Sequence, residues 1–223
     1  MVIPAEKGDE GLAQLRRYAT AALVSDALDS LGLLRQALGF DIIPLAGDGV
    51  MVGRAFTVAL ETPAVVPVER YARLLRTLDE IGPGEVYVAA TDRADHVAVW
   101  GELLSTACRS KGVAGVVTDG VVRDISKVRV LRYPVFARGT LPYDFHPRLE
   151  VKTSGEPVTI DGVEIRRGDI LVADADGVVV VPSALIADVT EFVLNKATGE
   201  SKFRQAVSEG MAPSEAYARF KVL

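Results

Sequence analysis

"WGELLSTACRSKGVAGVVTDGVVRD", residues 100–124, carries the reading of the fold. Glu102 to Ser110 has helical spacing, Lys111-Gly112 stops it, and "VAGVV" follows as a short β-branched run that reads as a buried strand. An Asp119-Gly120 turn, a short helix near Ile125 to Leu131 and a further strand, "PVFAR", continue the pattern. Helices alternating with apolar strands imply parallel pairing, with the helices laid on the sheet faces.

The same rhythm runs upstream. "VERYARLLRTLDEI" (68–81) is an amphipathic helix ended by Gly82-Pro83-Gly84, and the buried strand "EVYVAA" follows directly. "GVMVGRAFTVALET" alternates and is rich in Val, Phe and Thr, so a strand begins near Met51. Residues 9–31 carry Leu12, Leu15, Ala19, Ala22 and Leu23 at helical spacing, then "VSDALDSLG"; two helices or one broken helix fit, with Gly32 suited to a helix end. After residue 149 the pattern changes to short strands and tight turns: "LEVKTS", "PVTI", "DG", "VEI" and "RRGDILVADADGVVVVP", which read as hairpins. Two helices, about 183–208 and 213–220, close the chain, broken at Gly210 and Pro213. The expectation is a single α/β domain over residues 1–223 with a C-terminal helical extension from about 183.

Composition excludes several function classes. With 49% apolar and 25% charged residues, and no apolar run near the ~18 residues a membrane span needs, the chain reads as globular with no membrane role. "MVIPAEKGDE" has neither a basic nor an apolar leader segment, and a lone Cys108 rules out an intrachain disulfide; a cytoplasmic location is expected. The net charge of -5 argues against a nucleic-acid partner, whose phosphates require clustered Lys and Arg.

Several motifs resemble chemistry without supporting it. "DADG" (174–177) opens like a calcium loop, but the acid required at the twelfth position falls on Leu185, so a turn between buried strands is expected. "GDGVMVG" lacks dinucleotide-loop spacing and reads as a loop entering a strand. His96 and His146 are the only histidines, with no zinc-protease or serine-nucleophile motif around them. A solvated loop is expected for His96, which lies six residues before Glu102 and would otherwise rim a site there, and a surface turn for His146 beside Pro147.

Two places remain. Gly101-Glu102-Leu103-Leu104 forms a helix first turn, whose unpaired N–H groups and dipole attract a carboxylate or enolate oxygen. Arg123-Asp124 lies in a loop beyond a strand's carboxyl end, where α/β proteins bind ligands. If the chain bends there, as the Asp119-Gly120 turn suggests, the carboxylate can hold a hard divalent cation while the guanidinium grips an anion. Taken singly, each also has a plain reading, a dipole-complementing acid and a surface ion pair.

An acid, twenty residues and then Arg-Asp, here Glu102 and Arg123-Asp124, resembles the signature of the RraA-like family. "VSDALDSLG", "GVAGVVTDGVVRD", "PVFARG" and "GDILVADADGVVVVP" extend the likeness over most of residues 20–210. The family includes class II pyruvate aldolases acting on 4-hydroxy-4-methyl-2-oxoglutarate and 4-carboxy-4-hydroxy-2-oxoadipate. The resemblance implies an α/β, swivelling β/β/α domain assembled as a homotrimer or hexamer with sites between subunits. It implies that Asp124 binds Mg2+ or Mn2+, that Glu102 holds metal-bound water, and that Arg123 contacts the carboxylate or ketone of a small 2-oxo acid. The N–H groups of Leu103 and Leu104 would complete the pocket beside Gly101, and Glu200 would serve a neighbouring subunit. Retro-aldol release of pyruvate is the implied activity, with oxaloacetate decarboxylation from the same enolate chemistry. The alternative the family offers is a regulator that binds ribonuclease E and inhibits RNA processing. Aldolase members usually carry Asp at the position of Glu102, and the extra methylene would shift that contact by about 1 Å.

Overall fold

Valine runs set the architecture, because a strand buried on both faces needs apolar side chains at every position rather than at alternate ones. The computed structural model describes residues 5–222, with side chains from residue 10 onward; Met1–Pro4 of the segment read for a leader lie outside the described residues. Four strands form the parallel centre: β2 (Met51–Glu61), β3 (Glu85–Ala90), β5 (Gly115–Thr118) and β7 (Val135–Ala137). Between them run α3 (Ala72–Glu80), α4 (Glu102–Ser110) and α5 (Ile125–Leu131), as the alternation predicts. β1 (Ile43–Ala46) adds antiparallel to β7 at one edge.

At the other edge the chain turns back on itself. β11 (Ile170–Asp174) pairs antiparallel with the first half of β2, β8 (Glu150–Ser154) pairs antiparallel with its second half, and β12 (Gly177–Val181) closes the hairpin with β11. The sheet curls in consequence, and successive residues face different cores. In β3, Val86, Val88 and Ala90 enter an inner core shared with Leu171, Ala173, Val178 and Val180. Tyr87 and Ala89 face an outer core made with α3, α4 and α5. Ile170, Val172, Val179 and Val181, on the other face of the hairpin, meet α1 (Ala5–Tyr18), α2 (Ala21–Ser30) and α6 (Ile186–Ser208). The inner core is capped by the hairpin β9 (Val158–Ile160) and β10 (Val163–Ile165).

Several expectations are sharpened. Residues 9–31 form two helices, and Thr20 starts the second by accepting the Leu23 N–H at 3.2 Å. The helix expected from residue 68 starts at Ala72, because Tyr71 lies in the left-handed region (φ 61°), which ordinary helix cannot include. "DADG" is the β11–β12 turn, where the Asp174 carboxylate accepts the N–H groups of Asp176 (2.9 Å) and Ala21 (2.8 Å). The last helices are α6 and α7 (Pro213–Phe220), α6 being entered through a single 3-10 turn at Ser183–Leu185. Among the described residues, no helix is long and apolar enough to cross a membrane.

Candidate functional site

Two strands too short to register in a sequence pattern build the site. β4 (Ala98–Trp100) and β6 (Val121–Val122) pair in parallel outside the main sheet. Parallel pairing puts both carboxyl ends on one side, so the residues after Trp100 and after Val122 emerge together. The Arg123 N–H donates to the Trp100 carbonyl at 2.9 Å, which fixes the register.

Trp100 leads straight into α4 through Gly101. The Trp100 Nε1–H donates to Ser105 Oγ at 2.9 Å, and that hydroxyl donates to the Gly101 carbonyl at 2.9 Å, tying strand end and first helical turn into one unit. Trp100 is fully buried against Tyr87, with ring centroids 4.8 Å apart. Gly101 supplies no capping side chain, so the N–H groups of the first turn of α4 are free to meet an anion. A side chain at Gly101 would sit 3.2 Å from Asp124 Oδ2 and 3.2 Å from Arg123 Cγ. Close approach, rather than backbone angle, is what favours glycine here.

Asp124 lies in the left-handed region (φ 56°, ψ 29°) immediately before α5. That conformation, sparsely used by residues other than Gly, Asn and Asp, is the bend that lets adjacent Arg123 and Asp124 face one side. The Asp119-Gly120 turn lies earlier, between β5 and β6, and has its own task. The buried Asp119 carboxylate accepts from the Thr91 N–H (2.7 Å), the Thr91 hydroxyl (2.9 Å) and the Arg93 N–H (3.0 Å), holding the ends of β3 and β5 together.

The result is a cavity of about 250 Å³. Leu74, Val99, Leu104 and Phe145 supply apolar wall, while Tyr71, Glu102, Arg123, Asp124 and Asp144 bring polar groups to it. An apolar cleft with a few convergent polar groups is the usual form of a small-molecule site. Arg123 Nε lies 3.6 Å from Asp124 Oδ2, and its Nη1 lies 3.1 Å from Asp144 Oδ1. The Tyr71 hydroxyl donates to Asp144 Oδ2. This hydrogen bond, aided by burial and the carboxylate's charge, raises the phenol's pKa above its ordinary value, so Tyr71 remains a neutral donor. Glu102 Oε1 accepts from the Thr106 hydroxyl at 3.0 Å, one turn along its own helix.

All of Gly101, Glu102, Leu103, Leu104, Arg123 and Asp124 line this cavity. Glu200 does not; it lies on α6, 3.9 Å from Arg204. His96 is outside the lining too, exposed beside Asp95 at 3.9 Å, and His146 is half-buried in a turn against Tyr71. Tyr71 and Asp144 were not legible from the sequence. Asp144 stands in an irregular loop, and Tyr71 was absorbed into a helical pattern that it in fact precedes.

This arrangement can be set beside known proteins. Over 206 residues the chain is 31% identical to a Halalkalibacterium halodurans protein named, provisionally, as a 4-hydroxy-4-methyl-2-oxoglutarate aldolase, covering 92% of each chain. A solved structure of an uncharacterized protein from Pseudomonas syringae pv. tomato is 31% identical, with a TM-score of 0.83 over 93% of this chain and 96% of that one. Streptomyces coelicolor RraAS2, described as an unusual member of the RNase ES inhibitor RraA family, is 29% identical, with a TM-score of 0.78 over 88% of this chain and 97% of its own. The RraA-like (Aldolase/RraA) profile matches residues 21–180, a span that holds β2 to β11, the paired strands β4 and β6 and every residue of the cavity. The chain belongs to the RraA-like, Aldolase/RraA family.

Proposed function

We propose that the chain is a divalent-metal-dependent lyase, a single domain over residues 1–223, that cleaves a 4-hydroxy-2-oxo acid to release pyruvate and also decarboxylates oxaloacetate. The observation that carries this reading is the parallel β4–β6 pair, which sets the open first turn of α4 beside Arg123 and Asp124 around one cavity. The aldolase name of the H. halodurans relative supports the reaction class.

The donor set fits a hard, largely hydrated cation. Around the cavity three carboxylates, Glu102, Asp124 and Asp144, face one guanidinium, leaving two negative charges unbalanced. Carboxylate oxygens, with water completing the shell, suit Mg2+ or Mn2+ better than Zn2+, which prefers nitrogen and sulfur ligands. Asp124 would hold it directly and Glu102 through water. A divalent ion there supplies Lewis-acid charge to the oxygen that becomes negative as the C–C bond breaks.

The remaining work falls to the chain's own groups. Arg123 binds the carboxylate or ketone oxygen of the 2-oxo acid, and the Leu103 and Leu104 N–H groups meet the same end of the molecule. In cleavage the 4-hydroxyl gives its proton to solvent and becomes the C4 carbonyl of the departing product, while the electron pair of the breaking C3–C4 bond passes into the pyruvate enolate. Protonation at C3 then yields pyruvate. The apolar wall from Leu74, Val99 and Phe145 excludes water from that carbanionic carbon. Glu200 of a neighbouring copy, in a trimer or hexamer, is the proposed additional acid.

The test is pyruvate release from oxaloacetate and 4-hydroxy-4-methyl-2-oxoglutarate with Mg2+ or Mn2+. Turnover that is lost with chelator and in Asp124→Ala is expected. No pyruvate from either acid, or an Asp124→Ala variant with full activity, would sink the proposal. Likeness to RraAS2 favours a second reading, a non-catalytic regulator of a ribonuclease E-like partner. Association with such a ribonuclease, together with absent turnover, would establish that reading instead.

A further inference from the structure

Arginine is a long, mobile side chain, and a substrate grip on Arg123 is useful only if something holds the guanidinium in place. We infer that Asp144 and Tyr71 form a clamp that positions Arg123 for the anionic end of the substrate. The inference deepens the lyase reading and rests on it for the identity of that substrate.

The clamp is a division of labour between two oxygens. Asp144 Oδ1 takes Arg123 Nη1 at 3.1 Å, and Oδ2 accepts from the Tyr71 hydroxyl. Because Tyr71 is a neutral donor, it fixes the carboxylate without competing for its charge. Both residues line the cavity with Arg123, so the interaction is within the site and not on open surface. Neither belongs to the β4–β6 unit that carries Arg123.

The loop around Asp144 is built to hold still although it has no regular structure. The Ala98 N–H donates to the Tyr143 carbonyl at 3.0 Å, which ties the loop to β4. Phe145 is buried, and its carbonyl accepts from the Arg148 and Leu149 N–H groups at 2.8 and 2.9 Å. Arg148 Nη1 reaches the Asp144 carbonyl at 3.2 Å. Tyr71 is the more telling member. A bulky residue at φ 61° is held against its backbone preference, and its ring packs edge-to-face with His146, the ring centroids 6.0 Å apart. Such conformations persist where the surroundings over-determine them, commonly at ligand sites.

An isolated half-exposed ion pair contributes little and can be removed without consequence. A positioning pair behaves otherwise, and three variants separate the two. Asp144→Asn preserves shape but removes the negative charge that holds the guanidinium and leaves one acceptor oxygen, so that Tyr71 can keep its contact only by accepting from the new amide N–H. It should lower kcat/KM for pyruvate release ~10–100-fold, the range seen when a supporting partner is lost. Most of that loss should appear as a raised KM, because the grip on the substrate's fixed carboxylate is made before and during cleavage alike. Tyr71→Phe should lose less, and Asp144→Glu should recover part of the loss. On an Arg123→Ala background, Asp144→Asn should add almost nothing, since both act through one group.

A readout independent of turnover is the 15N side-chain signal of Arg123, assigned through Arg123→Lys. In the wild type it should stand apart from exposed arginines as a guanidinium with hindered rotation; in Asp144→Asn it should join them. An unchanged signal in Asp144→Asn, or an Asp144→Asn penalty that multiplies fully on Arg123→Ala, overturns the clamp. If the wild type releases no pyruvate while Asp144→Asn still frees Arg123, the lyase reading falls and the clamp stands.

Discussion

Gly101→Ala tests the close approach that assembles the site. The backbone there is fully extended (φ -167°, ψ -168°), which alanine adopts readily, so the change acts only through its methyl group. That methyl would stand 3.2 Å from Asp124 Oδ2, 3.2 Å from Arg123 Cγ and 3.6 Å from Arg123 Nε. Two of these contacts are tighter than ordinary van der Waals separation by a few tenths of an ångström. Both neighbours are partly exposed side chains, 36% for Arg123 and 44% for Asp124, and they can yield. The fold should therefore lose no more than about 1 kcal/mol, the low end of overpacking costs. Catalysis should suffer more, because a 1 Å misplacement near reacting atoms costs on the order of 100-fold, and a shift of a few tenths scales to ~3–10-fold in kcat/KM. Urea unfolding and coupled detection of pyruvate release measure the two quantities on the same preparation. A stable Gly101→Ala protein with wild-type kcat/KM would refute the reasoning, since it would show that neither Arg123 nor Asp124 needs its present position.

Asp119→Ala should behave in the opposite way, destabilising the fold by about 3 kcal/mol or more by stranding three donors of the Thr91–Arg93 segment; a urea midpoint close to wild type would contradict this. Cys108, on the buried face of α4, has its thiol pushed by burial from the ordinary 9.0 up to about 11, and should resist a thiol reagent at pH 8 until the chain unfolds. The folded thiol holds its proton where the unfolded thiol has lost it, so its contribution is intact below pH 9 and is lost as pH rises toward 11. That is worth about 3 kcal/mol, absent in Cys108→Ala, whose stability should fall less steeply over the same range. Burial raises the pKa of Tyr87 and Tyr133 as well, so alkaline unfolding should steepen further above pH 10, followed by circular dichroism.

The framework was legible because period and punctuation agree along it. After Glu85, "VYVAA" is apolar throughout, as is "VAGVV", because each strand faces two cores, and Gly112 and the Gly82-Pro83-Gly84 run stop the helices before them. The curl was hidden, since the register of β11 against β2 joins residues more than a hundred positions apart that carry no mark of one another. At the site, the signature residues Glu102, Arg123 and Asp124 were legible, and so was the open helix turn beside them. The means of bringing them together was not. β4 and β6 have three and two residues, below any useful window for alternation, yet their pairing makes two separated loops into one cavity.

The unforeseen members, Tyr71 and Asp144, differ in kind from those the sequence revealed. Glu102 and Arg123-Asp124 follow a strand or start a helix, where backbone geometry alone points a side chain outward. Tyr71 and Asp144 reach the cavity by local departures: a left-handed residue that ends the irregular approach to α3, and an irregular loop pinned to β4 by a backbone bond. Departures of that sort have no periodic trace, so they are invisible until the chain is folded. At Tyr71 the departure costs backbone preference, although its ring also packs against the outer core. Asp144 carries no such cost and depends on the bonds that pin its loop. The clamp proposed for Arg123 therefore stands on a part of the fold that the signature does not reach.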